Sequence, residues 1–152
     1  MRLLLFLTLP LYLADQATKW AVLATIPPEH TVPVIPGIFN LVQVHNTGAA
    51  FGMFKDNNAF FVVLSLAALG AMAWFARRGA FCDTPSRVAA ALLVAGVLGN
   101  LTDRLIHGHV IDFLDVILPW YGHWPSFNIA DSAISTAAVL FLWASFTAPA
   151  KS

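Results

Sequence analysis

Five short tracts carry the side chains capable of chemistry in this chain: Asp15-Gln-Ala-Thr-Lys19, Asn46-Thr-Gly-Ala-Ala-Phe51, Gly99-Asn-Leu-Thr-Asp-Arg104, Val110-Ile-Asp-Phe113 and Phe127-Asn-Ile-Ala-Asp131. Asp112 and Asp131, in the last two tracts, have no cation beside them in sequence, and Asp15, Asp103 and Asp115 add three more carboxylates. Two carboxylates drawn together cannot both ionise easily, so one keeps its proton and the pair offers an acid and a base. Such a pair can activate water for hydrolysis. Other hydrolytic chemistries lack their parts. There is no H-E-x-x-H motif, the five histidines His30, His45, His107, His109 and His123 lack helical ligand spacing, and no G-x-S-x-G elbow occurs. The single cysteine, Cys82, excludes an intramolecular disulfide and a cysteine-rich metal site. The expectation is therefore no metal and no cofactor.

The elements that must position these tracts follow from composition. Of 152 residues, 59% are hydrophobic and 11% charged, where a soluble domain carries about a quarter charged residues. Net charge is zero and no basic run appears, which sets nucleic acid aside as a partner. Four apolar segments of near-spanning length lie at about 3–24, 59–76, 88–106 and 127–148. Arg2, the Arg77, Arg78 and Arg87 cluster, and Lys151 flank them on one side, which the positive-inside rule assigns to the cytoplasm, with both termini inside. Arg2 and Leu3 to Leu13 also resemble the start of a signal peptide, but no small-x-small site closes the run, and four spans fit the charges better. Pro10 is expected to kink or loosen the first helix. Between the first two spans, residues 31–44 are β-branched and broken by Pro33, Pro36 and Gly37, which predicts short strands and turns. A small sheet on the outer surface is expected there, within an outer segment of about 31–54. The second outer segment, about 107–126, reads as a loop whose Trp120, Tyr121 and Trp124 suit an interfacial belt. The whole chain, 1–152, reads as one membrane domain.

Counting from the cytoplasmic anchors gives depth. At 1.5 Å per residue Asp15 lies roughly 20 Å from Arg2, Asp103 roughly 24 Å from Arg87 and Asp131 roughly 30 Å from Lys151. All reach the outer half of a core about 30 Å thick. Asp15 with Lys19, Asn100 with Asp103 and Arg104, and Asn128 with Asp131 are spaced to share helix faces. Interhelical ion pairs, such as Asp15 with Lys19 or Asp103 with Arg104, account for some of these groups. They account less well for Asp112 and Asp131. A small proton-coupled carrier is the alternative, but a relay needs ionisable groups at several depths, and the inner halves of the spans have none.

The order D-Q-x-T-K, N-T-G-A-A-F, G-N-x-x-D-R, V-x-D-F, F-N-x-A-D, covering nearly the whole chain, resembles the lipoprotein signal peptidases (signal peptidase II), intramembrane aspartic proteases of the bacterial inner membrane. The resemblance implies an all-α, four-transmembrane-helix bundle with a small extracytoplasmic β-cradle. It also implies an activity: removal of signal peptides from diacylglyceryl-modified prolipoproteins, with cleavage just before the lipidated cysteine. Asp112 and Asp131 match the family's catalytic pair. Asn46, Gly48, Asn100, Asp103, Arg104 and Asn128 match substrate-pocket positions, and Asp15 and Lys19 match a supporting motif. The implied partners are prolipoprotein substrates and membrane lipid. Ala95-Gly96, where many members carry a glycine pair, is a departure that leaves the aspartate pair untouched.

Overall fold

The computed structural model describes residues 4–28, 30–48 and 56–147. A π-helical turn, Leu4–Thr8, runs into helix α1, Leu9–Thr25. Pro10 explains the change of winding, because it has no N–H to offer the carbonyl four residues earlier in an α-helix. Strands β1 (Thr31–Ile35) and β2 (Phe39–Asn46) follow. The Pro36-Gly37 turn between them has Gly37 at φ 76° and a bond from Ile38 N–H to Ile35 O of 3.0 Å, a type II geometry that needs the left-handed residue. Helices α2 (Asn58–Arg77) and α3 (Thr84–Ile106), strands β3 (Val110–Leu118) and β4 (Gly122–His123), and helix α4 (Ile129–Thr147) complete the described chain.

Helix α3 is the centre of the bundle and packs against α1, α2 and α4. Its buried face consists largely of Ala89, Ala90, Ala91, Ala95, Gly96 and Gly99. Small residues let helix backbones approach where apolar burial alone cannot drive association. A Cβ on Gly96 would meet the Ala130 carbonyl oxygen and stand 2.7 Å from Ile134 Cγ1. Thr8 Oγ1 donates to Ala91 O, and Gln16 Nε2 donates to Gly99 O, so α1 and α3 run parallel. Both sheet segments consequently emerge at one end of the bundle, and the Arg77, Arg78 and Arg87 loop lies at the other. Helices α2, α3 and α4 are long and apolar enough to cross a membrane.

The four strands form one antiparallel array in the order β1-β2-β3-β4. Val22 and Ile26 at the end of α1 pack with Phe113 of β3, which seats the sheet on the bundle. Beyond the ladder, Phe113 N–H and Leu114 N–H both reach Phe127 O, at 3.1 and 2.8 Å. The V-I-D-F and F-N-I-A-D tracts are therefore clamped side by side.

The expected sheet at 31–44 is present, but the segment 107–126, expected as a loop, supplies β3 and β4. Val110–Phe113 are buried on both faces, so the strand has no alternation of apolar and polar residues to betray it. Helix α3 begins four residues before the expected 88, because Asp83 caps it by accepting from Ser86 N–H at 2.8 Å and Pro85 suits the first turn. Helix α4 begins two residues later than expected, since Phe127 is held by β3. Arg2, Leu3, residues 49–54 of the expected outer segment, Ala148 and Lys151 lie outside the described residues.

Candidate active site

Asp131 stands in the first turn of α4, and Asn128 directly precedes that helix. The two exchange bonds: Asp131 N–H donates to Asn128 Oδ1 at 2.8 Å, and Asn128 N–H donates to Asp131 Oδ2 at 3.2 Å. This is the reciprocal pattern of a capping box. Asn100 Nδ2 supplies a third bond, to Asp131 Oδ1 at 2.7 Å. A carboxylate in a helix's first turn also faces the positive end of the helix dipole.

Asp112 lies in β3 and is 1% exposed. Its oxygens accept from Asn46 Nδ2 at 2.9 Å and Asn128 Nδ2 at 2.8 Å. Asn46 in turn accepts from Gly48 N–H at 3.0 Å, which fixes its amide with the NH2 toward Asp112. Burial first, and the neighbouring Asp131 charge second, push the Asp112 carboxyl up to about 7. Asn128 thus joins both carboxylates, by its side chain to Asp112 and by its backbone to Asp131.

Beneath the pair lies a buried ionic cluster. Lys19 Nζ sits 2.9 Å from Asp15 and 2.7 Å from Asp103, and donates to Asn100 Oδ1 at 3.1 Å. Gln16 Nε2 bonds Asp15, Asp103 and Gly99 O, all within 3.2 Å. The expected pair of Asp15 with Lys19 is present. The expected pair of Asp103 with Arg104 is not, because adjacent residues on a helix do not face each other. Arg104 turns the other way, donating to Gly48 O at 3.1 Å and stacking on the Phe61 ring at 4.6 Å.

A cavity of about 600 Å³ opens between α2 and α4, lined among others by Asn46, Gly48, Phe61, Asn100, Arg104 and Asp131. Of the anticipated site residues, these except Phe61 face the cavity. Asp112 and Asn128 stand behind them, and Asp15, Lys19 and Asp103 lie deeper. Ser132 and Ser135 of α4 extend the lining. Phe61 and Gln16 were not anticipated. Gln16 sits inside a quoted tract and its i,i+3 spacing to Lys19 was the available signal. Phe61 had none beyond its apolar segment. Asp115 does not join this site. It is bound by Asn40 at 2.7 Å and His123 at 2.8 Å in a separate cluster on the sheet. Among the described residues, no three His, Cys, Asp or Glu stand where they could hold a metal ion.

A sequence model of the family described as Signal peptidase (SPase) II matches residues 7–147. A lipoprotein signal peptidase of Thermodesulfovibrio yellowstonii is 45% identical over 86% of this chain and 86% of its own length. One from Syntrophotalea carbinolica is 39% identical over 94% and 90%. A solved structure described as a bacterial membrane enzyme, determined by the in meso method at 2.3 Å resolution, superposes with a TM-score of 0.87 at 30% identity, covering 98% of this chain and 93% of that one. A second such structure, at 1.9 Å, gives 0.86 and 32%, covering 96% and 94%. With residues from all five tracts gathered at one site and its relatives matched over most of both lengths, this chain belongs to the signal peptidase II family.

Proposed function

We propose that this protein removes signal peptides from prolipoproteins by general acid/base hydrolysis at the Asp112/Asp131 pair, cutting before a diacylglyceryl-modified cysteine. Removal of the signal peptide follows from family membership and the lipoprotein signal peptidases it matches. The aspartic mechanism is carried by one observation: fixed donors from Asn46, Asn100 and Asn128 converge on two carboxylates, Asp131 on the wall of a cavity and Asp112 buried behind it.

Below about pH 7 the pair shares one proton, in line with the Asp112 carboxyl being pushed up to about 7. The ionised member takes a proton from a cavity water while that water attacks the scissile carbonyl. The protonated member hydrogen-bonds the carbonyl oxygen and transfers its proton as the tetrahedral intermediate forms. The proton taken from water then passes to the leaving amine as the C–N bond breaks. One hydroxyl of the intermediate returns its proton to the carboxylate that had acted as the acid, and the acid and amine products separate with the pair's single proton restored and no covalent enzyme intermediate. Asn46, Gly48, Asn100 and Arg104, which line the cavity, would hold the extended substrate backbone, which needs partners where water is scarce, while the fully buried Asn128 holds the two carboxylates. Asp103 is better assigned to support with Asp15 and Lys19, since its oxygens are taken by Lys19, Gln16 and Ile111 N–H.

The membrane arrangement belongs to the same proposal. Helix α1 with its π-turn spans beside α2, α3 and α4, both termini face the cytoplasm, and the sheet lies at the outer surface of the bacterial inner membrane. The substrate's acyl chains then stay in lipid while its peptide enters between α2 and α4. The test is cleavage of a lipid-modified prolipoprotein by purified protein. Asp112→Asn and Asp131→Asn, which keep size but lose acid/base function, should each abolish detectable turnover while still binding a substrate-like peptide. Substantial turnover by either variant would reassign the pair.

A further inference from the structure

The buried ion cluster behind the cavity makes contacts that an ion pair kept only for stability would not need. Asp15 Oδ1 accepts from the backbone N–H of Ala130, the residue before Asp131, at 2.8 Å. Asp103 Oδ2 accepts from the backbone N–H of Ile111, the residue before Asp112, at 3.1 Å. Lys19 joins these two acids and also donates to Asn100 Oδ1. An ammonium group can only donate, so it sets which end of the Asn100 amide faces it and turns Nδ2 onto Asp131. The three charged side chains are at most 3% exposed. Desolvation offsets most of the attraction in such a cluster, and apolar replacements of buried ion triads are often neutral or stabilising. What apolar side chains cannot do is receive two backbone N–H groups and fix one amide at a single point.

We propose that Asp15, Lys19 and Asp103 form a positioning device that sets the placement of Asp112 and Asp131 relative to each other, with Lys19 tying the two supports together. The proposal rests on Asp112 and Asp131 being the reacting pair. None of the three touches substrate. Asp15 fixes the start of α4, Asp103 fixes the start of β3, and Lys19 makes one rigid unit of helix, strand and amide.

The test compares Lys19→Arg with the uncharged triple variant Asp15→Asn, Lys19→Met, Asp103→Asn. The triple variant removes all three charges yet leaves an oxygen for each backbone N–H, so it avoids the unpaired buried acids that Lys19→Met alone would create. Melting temperature in detergent, KM and kcat for a lipid-modified prolipoprotein are measured for each. Because displacement by about 1 Å can cost about 10²-fold in rate, the triple variant is expected to melt near the parent and keep KM within about threefold while kcat falls about 100-fold. Lys19→Arg keeps the charge but replaces a point donor with a planar fork. It should keep KM and lose about tenfold in kcat. Parent-like kcat in either variant overturns the proposal, since a stabilising role alone would be rescued by both. Asp112→Asn and Asp131→Asn run alongside. If both are dead and the triple variant is active, only the positioning role falls. If either control turns over, the reacting pair falls and the positioning role with it.

Discussion

Gly99→Ala tests how tightly the site depends on helix contact. An added Cβ would stand 2.6 Å from Asp15 Oδ2 and 3.0 Å from Ala130 Cβ, where carbon contacts are most favourable at about 3.5–4.0 Å. The far end of a short side chain can usually turn aside. This one cannot, because Oδ2 is held by Lys19 at 2.9 Å and Gln16 at 3.2 Å, and Oδ1 by Ala130 N–H at 2.8 Å. Relief must come from α1 or α4 backing away from α3. Overpacking of this kind costs about 1–3 kcal/mol, and replacing a helical glycine by alanine returns about 1 kcal/mol, leaving a net loss of up to about 2 kcal/mol. The displacement reaches Ala130 and so Asp131, and a shift of several tenths of an ångström should lower kcat by about 10- to 100-fold. Gly70→Ala in α2 is the control, because its Cβ meets nothing within 4 Å. The assay is thermal unfolding in detergent with prolipoprotein cleavage at matched protein level. Parent-like stability and kcat for Gly99→Ala, or an equal loss for Gly70→Ala, would refute the argument.

The remaining predictions concern protons, metals and topology. The folded chain keeps the Asp112 proton up to about pH 7, whereas an ordinary carboxyl releases it near 3.8, so this group's contribution to stability is full below about pH 4 and is lost as pH rises through 7. Asp112→Asn should therefore gain stability relative to the parent between those limits, read as melting temperature against pH, and the parent's kcat/KM should fall above about pH 7 as the pair loses its shared proton. EDTA should leave cleavage unchanged, because no described constellation could hold a metal, and inhibition reversed by added zinc would contradict the aspartic mechanism. Reporter fusions after Arg78 and Lys151 should behave as cytoplasmic and one near Asn57 as external. An external signal at Lys151 would mean an odd number of spans.

The helices and the polar tracts were legible because both follow from local composition. An apolar run of about 20 residues has few alternatives to a buried helix, and i,i+3 or i,i+4 spacing fixes which polar groups share a face. The Asn128 and Asp131 spacing was read as a shared face, and the same three-residue offset is also that of a capping box. Strand β3 escaped because its residues are buried on both sides, and only its pairing with β2 makes it a strand.

Depth counting put Asp15, Asp103 and Asp131 at one level, and the fold brings them to one end of the bundle, where Asp15 shares Lys19 with Asp103 and reaches Ala130 N–H beside Asp131. Counting could not choose partners at that level, since partner choice depends on how each helix is rotated about its axis. That rotation is set by the small residues of α3. With Gly96 and Gly99 turned to α4 and α1, Asp103 falls on the side of Lys19, and Arg104, one residue and about 100° further round, falls on the side of Gly48 and Phe61. A single bond from Ala130 to Asp15 then closes a separation of 115 residues. The chemistry is thus written in the acids and amides, but their assignment to supporting or reacting roles is written in the glycines and alanines that decide which helix each of them meets.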